Sequence, residues 1–415
     1  MKSKAAIAFL VFLGVFCIHA VDAYSQTEAS GTWSTASTDG FIPRAWFTSP
    51  VVNGKIYIIG GDDGFVMTKP IQSFDPSTST WSTLTTKGTF TLRHGLASSV
   101  VNGKIYAMGG NGVGGVTVLN TLEVFDPSTN TWSTPKTTGT FTARHDLTSC
   151  VIDGKIYAIG GGDGNKYINT LEVFDPLTNT WSTPKTTGTF TPRSSFCSSV
   201  VNGKIYVIGG WDNNGSFITT VQVFDPSANT WTTLKTAGKF FPRDAMASSV
   251  INGNIYVIGG DDGNNNPITT NTLQVFDPST NTWSTPTTTG TFTPRFLLSA
   301  AMVNDNIYVM GGQNSSQIFK TNEVLTPSDA GVKTDGTALL DIELSPNPTK
   351  GLVTVFNASV GMQVVIENIM GETVMKLENS QGSNVRLDLS KLPSGTYFAK
   401  FLTPNSIVTK KIVRE

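Results

Sequence analysis

The stretch VVNGKIYVIGG, Val200 to Gly210, reads as one β-hairpin. Ser198 to Val201 form a first strand, and Asn202-Gly203 is the two-residue pair that a tight hairpin turn favours. The second strand is apolar on both alternating sets, Ile205 and Val207 against Tyr206 and Ile208, so a neighbouring layer is expected on each side of it. A third strand follows in VQVFDP, where the polar Gln222 suggests a position further out. Asp225-Pro226-Ser227-Ala228 has the chemistry of a type I turn and leads into a fourth strand that carries Trp231.

This unit recurs. Glycine pairs fall at Gly60-Gly61, Gly109-Gly110, Gly160-Gly161, Gly209-Gly210, Gly259-Gly260 and Gly311-Gly312, a period of about 50 residues. An arginine keeps the same beat (Arg44, Arg93, Arg144, Arg193, Arg243, Arg295), and so does a tryptophan (Trp33, Trp81, Trp132, Trp181, Trp231, Trp283). Four strands per unit with a glycine pair and one tryptophan resemble the kelch repeat, and the resemblance spans Gly31 to about Pro327. It implies an all-β, six-bladed kelch-type β-propeller over residues 24–327. Trp33 precedes the first glycine pair, and no tryptophan follows the last. Residues near Thr32 to Thr35 are therefore expected to complete the sixth blade and close the ring.

The two ends of the chain carry an address. Residues 1–23 hold two lysines, an apolar run from Ala5 to Ile18 and then Val21-Asp22-Ala23, the pattern of a secretory signal peptide. The run is shorter than the roughly 20 residues a membrane span needs, and no other segment of the mature chain could serve. Residues 328–338 read as a polar linker, and 339–415 as a small immunoglobulin-like β-sandwich. The motifs there are Ser345-Pro346-Asn347-Pro348 before Gly351, the turn from Asn368 to Gly371, Leu392-Pro393-Ser394-Gly395-Thr396-Tyr397, and the basic Lys410-Lys411. Together they resemble the type A C-terminal sorting domain of the type IX secretion system of Bacteroidota. That resemblance implies engagement of the type IX machinery and delivery to the cell surface or the medium.

Composition narrows the partners. A formal net charge of -1 with 14% charged residues offers no basic stripe for a nucleic acid. The mature chain keeps two cysteines, Cys150 and Cys197, which are either small core residues or one disulfide between blades.

Candidate ligand contacts come from comparing the copies, since positions that differ between blades are free to do what the framework does not require. The residue after each repeated arginine is Ala45, His94, His145, Ser194, Asp244 or Phe296, and the next is Trp46, Gly95, Asp146, Ser195, Ala245 or Leu297. These slots are expected around the mouth of the central channel. Arg44, Arg93, Arg144, Arg193, Arg243 and Arg295 either favour an anionic ligand there or tie the backbone between blades. Trp46 and Trp211 suit stacking on a sugar. His94 and His145 lack a fixed third ligand, so no metal or other cofactor is expected. The six tyrosines Tyr57, Tyr106, Tyr157, Tyr206, Tyr256 and Tyr308 share one strand position, which marks packing rather than the copper site of a kelch oxidase. Asp- and Asn-rich loops after the glycine pairs read as turns rather than calcium sites. The expected role is binding of a glycan or protein without catalysis. The alternative is a sugar mutarotase or isomerase, which needs Arg93, His94, Arg144, His145 and Asp244 to converge on one pocket.

Overall fold

The computed structural model describes residues 30–64, 66–67, 70–263, 271–328, 343–356, 362–368, 373–378, 385–403 and 406–415. The signal segment, most of the linker and Gly371 lie outside the described residues. The chain divides into two compact units, residues 1–330 and 331–415.

The first unit contains six sheets of the same plan. In the fourth, Cys197–Val201, Lys204–Ile208, Val221–Asp225 and Thr230–Thr233 run antiparallel in that order from inner to outer edge. The hairpin turn has Asn202 at φ 50° and Gly203 at φ 71°, the left-handed pair that matches the twist of the flanking strands. The second strand is buried along its length from Ile205 to Ile208. The third strand lies outside the second, as the polar Gln222 suggests, while Gln222 itself is 2% exposed and its side chain faces Arg193.

Each apolar cluster of the propeller is built from two neighbouring sheets. Between the third and fourth sheets, Cys150, Ile159 and Leu171 meet Ile205, Val207, Phe224 and Trp231. The repeated tyrosines point across these seams, with Tyr157 against Phe224 of the next blade and Tyr206 against Phe276. The repeated tryptophan stacks on the linker that enters its blade, Trp231 on Phe190 at 4.4 Å between ring centroids. Full burial of aromatic side chains of this size contributes about 2–3 kcal/mol each.

Ser30–Thr35 runs antiparallel to Asn322–Ser328, with Trp33 opposite Leu325, and is the outer strand of the sixth sheet. The edge beyond the outer strand is covered as well on the second to sixth blades. Thr187 bridges Thr230, Thr138 bridges Thr180 and Ala237 bridges Thr282, all in parallel, so each linker shields the blade that follows it.

The second unit pairs a three-stranded sheet (Glu343–Ser345, Leu352–Phe356, Val385–Asp388) with a four-stranded one (Thr373–Glu378, Gln363–Asn368, Gly395–Thr403, Ser406–Arg414). Val353, Val355, Val364, Ile366, Leu387, Phe401 and Ile412 fill the space between them. The motif residues act as fasteners. Asn347 Nδ2 donates to the Lys411 carbonyl at 2.7 Å, and its Oδ1 accepts the Val413 amide at 2.9 Å, so Pro346-Asn347-Pro348 grips the last strand. Gly351 sits at φ 139°, where a Cβ would lie 3.0 Å from Ser390 Cα. Tyr397 is buried and donates its hydroxyl to the Pro393 carbonyl at 2.8 Å across the Gly395 turn. Lys411 is exposed and Lys410 half-buried.

Candidate functional site at the channel mouth

The six arginines belong to the buried framework and reach no open surface. All six are 0% exposed. Arg93 donates to the carbonyls of Thr91 and Gly109 at 3.0 and 2.9 Å and to the Glu123 carboxylate at 2.6 Å, and it lies over the ring of Phe90. Arg144 repeats this with Thr142, Gly160 and Glu172. Arg295 pairs with Glu323. Arg44, Arg193 and Arg243 meet the neutral Gln72, Gln222 and Gln274 instead, and burial pulls each of these guanidiniums down to about 10. The arginines are thus removed from the set of ligand contacts, and the expectation of an anionic ligand loses its basis. The partner series Gln72, Glu123, Glu172, Gln222, Gln274, Glu323 is the element that reading the repeat missed.

Above this framework the residues two places after each arginine form a closed belt. The Trp46 amide donates to the Leu297 carbonyl, Leu297 to Ala245, Ala245 to Ser195, Ser195 to Asp146, Asp146 to Gly95 and Gly95 to Trp46, at 2.7–3.2 Å. All six residues hold a left-handed backbone, with φ between 49° and 60°. The belt needs that backbone and makes no demand on the side chain, which is why Trp, Gly, Asp, Ser, Ala and Leu share the slot.

The residues one place after the arginine join this belt to the loops beyond the glycine pairs. His94 exchanges two backbone hydrogen bonds with Asn111, and Ser194 does the same with Trp211 and Asp244 with Asp261. The side chains placed here make two imidazole–carboxylate pairs. His94 Nδ1 is 2.5 Å from Asp62 Oδ2, and His145 Nδ1 is 2.9 Å from Asp146 Oδ2. Each imidazole is 21% exposed. The contact with Asp146 raises the basicity of His145 against the opposing effect of its burial. Burial, and then the nearby Asp261 and Asp146 carboxylates, push Asp244 up to about 7.

A cleft of about 470 Å³ opens between the loops of the third and fourth blades. Its walls include His145, Tyr167, Trp211, Asn165, Lys166 and Asn213. Gly162 makes room for the imidazole, since a Cβ there would lie 2.8 Å from His145 Nε2. Asn213 ties the two loops together by accepting the Tyr167 amide at 2.7 Å and donating to the Tyr167 carbonyl at 2.9 Å. Trp211 is braced edge-on by Phe217 at 4.4 Å. The loop aspartates are engaged locally: Asp163 accepts the amides of Asn165 and Lys166, and Asp212 those of Asn214 and Ser216. Among the described residues no group of three or more His, Cys, Asp or Glu side chains is placed to hold a metal ion. Cys150 and Cys197 are free thiols, buried and pushed up to about 11 by that burial, with Cys150 3.2 Å from the Ser198 hydroxyl.

Six sheets on a four-strand plan, closed through the first strand, over a belt with variable side chains, define a β-propeller. The KLHDC2/KLHL20/DRC7 Kelch-repeats domain matches residues 17–210 and 197–330, and the chain belongs to the Kelch-repeat proteins. The Secretion system C-terminal sorting domain matches residues 343–415, so this is a Kelch-repeat protein sorted by the type IX pathway for secretion or display at the cell surface. A search of curated proteins returns no match. Among the described residues no helix is long and apolar enough to cross a membrane.

Proposed function

We propose that the propeller is the working domain of an exported binding protein that holds a neutral glycan on its channel-mouth face, delivered across the inner membrane by residues 1–23. The observation that carries this reading is the cleft between the third and fourth blades. It combines two partly open aromatic rings, Tyr167 and Trp211, with amide side chains and an imidazole at hydrogen-bonding reach of its interior. Sugar rings present flat C–H faces and a rim of hydroxyls, and this pairing of apolar planes with convergent polar groups matches both. Neutrality is favoured because the arginines are sealed in the framework and the cleft sets one cation, Lys166, against one carboxylate, Asp212. The sugar-isomerase alternative is the weaker reading, since Arg93 and Arg144 are committed to Glu123 and Glu172 and are not free for a pocket.

Isothermal titration of the full mature chain against neutral oligosaccharides tests the proposal. Trp211→Ala is expected to weaken binding about tenfold or more with the melting temperature unchanged. Equal affinity of wild type and variant for every sugar bound would place the ligand elsewhere, and sugar turnover by the wild type would restore the enzymatic reading.

A further inference from the structure

The mouth repeats the chemistry of the cleft at a second place. On the first and second blades, the Trp46 indole lies 5.4 Å from the His94 imidazole between ring centroids. Asp62 holds His94 Nδ1, which leaves Nε2 as the free ring nitrogen. On the third and fourth blades, Asp146 holds His145 Nδ1, and the imidazole stands beside Tyr167 and Trp211. Both places therefore offer an aromatic plane next to an imidazole oriented by a carboxylate, each imidazole open to the same 21%. They are also mechanically continuous. The belt runs from Trp46 through Gly95 to Asp146 by two hydrogen bonds of 3.0 and 2.8 Å. Between the two imidazoles the belt residue is Gly95, and a Cβ there would come within 2.5 Å of Asp146 Oδ1. No side chain from that belt position stands between the two places.

Resting on the glycan reading above, we infer that Trp46 and His94 form a second sugar subsite. The ligand is then an oligosaccharide chain that lies across the mouth, with one sugar unit in the cleft and another on Trp46. Two weak subsites on one rigid belt act on a linked ligand at high effective concentration, so affinity should climb with chain length until both are filled. A single sugar would engage only one of them.

The experiment is titration of the full mature chain with neutral oligosaccharide series from disaccharide to octasaccharide: β-1,4-glucans, α-1,4-glucans, β-1,4-mannans and chitin oligomers. It is run on wild type, Trp46→Ala and Trp211→Ala. The Trp46→Ala chain can keep its backbone, because Ala245 already occupies an equivalent belt slot at φ 49°. The expected result is that Trp46→Ala leaves the shortest bound sugar unaffected and costs the longest about tenfold, while Trp211→Ala weakens every length. If Trp211→Ala weakens binding but Trp46→Ala matches wild type at every length, the second subsite is wrong and the cleft stands. If wild type binds none of the series, both fall together. His94→Asn supplies a check independent of the indole, since it should reproduce the length-dependent loss without touching the cleft.

Discussion

Each framework arginine is a buried cation, and the consequence of removing it depends on what it leaves behind. Arg93→Met would strand the Glu123 carboxylate, which is 4% exposed and would keep only the Thr91 amide and hydroxyl as partners. That loss should cost about 3–5 kcal/mol. Arg193→Met would leave a neutral Gln222 that still donates to the Thr189 carbonyl and the Thr233 hydroxyl, and about 1–2 kcal/mol is expected. Urea unfolding of the two variants measures the difference, and equal losses would mean that the charge of the partner does not matter. Asp244 supplies a pH dependence at the same scale. Its carboxyl titrates near 7 in the folded chain against 3.8 when unfolded, so the folded state binds the extra proton between those values. Stability should therefore fall as pH rises from about 4 through 7, by on the order of 4 kcal/mol. Asp244→Asn removes that slope, giving a higher melting temperature than wild type at about pH 8 and little change at about pH 4. Parallel melting curves for the two across this range would show that Asp244 is not held protonated.

At the scale of strands and linkers, the sequence carried most of the fold because the six copies repeat the same physical solutions. The hairpin Asn-Gly pairs, the doubly apolar second strand and the Trp beat each correspond to a feature of the blade. The partner of the arginine was legible too, as a Glu or Gln recurring in an otherwise apolar third strand, but its polarity reads as exposure until the buried cation opposite is known. The belt was not legible, because a backbone requirement met by six unrelated side chains leaves no trace in residue type. Nor could the repeat show that Asn213 would reach Tyr167 on the neighbouring blade, since that contact joins two loops that differ from the other four. The glycines test how far these backbone constraints go. At Gly188, φ is 74° and a Cβ would sit 2.0 Å from the Trp231 carbonyl oxygen, so Gly188→Ala must displace the linker that shields the outer strand. Gly203 has φ 71° with nothing within 4 Å. Gly203→Ala should cost about 1 kcal/mol from conformation alone, and Gly188→Ala about 3 kcal/mol or more. Denaturant midpoints that move equally would mean that the linker yields freely and shields nothing.

Across the whole molecule, the ring is held shut by a strand that comes from the other end of the propeller sequence. Trp33 is 5% exposed and stacks on Phe292 at 4.7 Å, its blade-closing strand pairs with Asn322–Ser328 on one side and Thr287–Thr289 on the other, and Gly290 packs on its carbonyl. A mature chain that starts after Thr35 loses this strand. The third strand of the sixth blade then becomes an open edge, and Leu325, fully buried in the closed ring, loses its cover. The residues that hold the belt are shared round the ring, so the loss is not confined to one blade: Leu297 of the sixth blade accepts from Trp46 of the first. The propeller transition should fall by about 10 °C or more on deletion. The sorting domain has its own core in a separate compact unit, and its transition should stay where it was. Scanning calorimetry of the full and shortened chains reads both. A propeller transition that holds its temperature without residues 30–35 would mean that the ring closes through the belt and the inter-blade cores alone, and that the strand serves only to cover an edge.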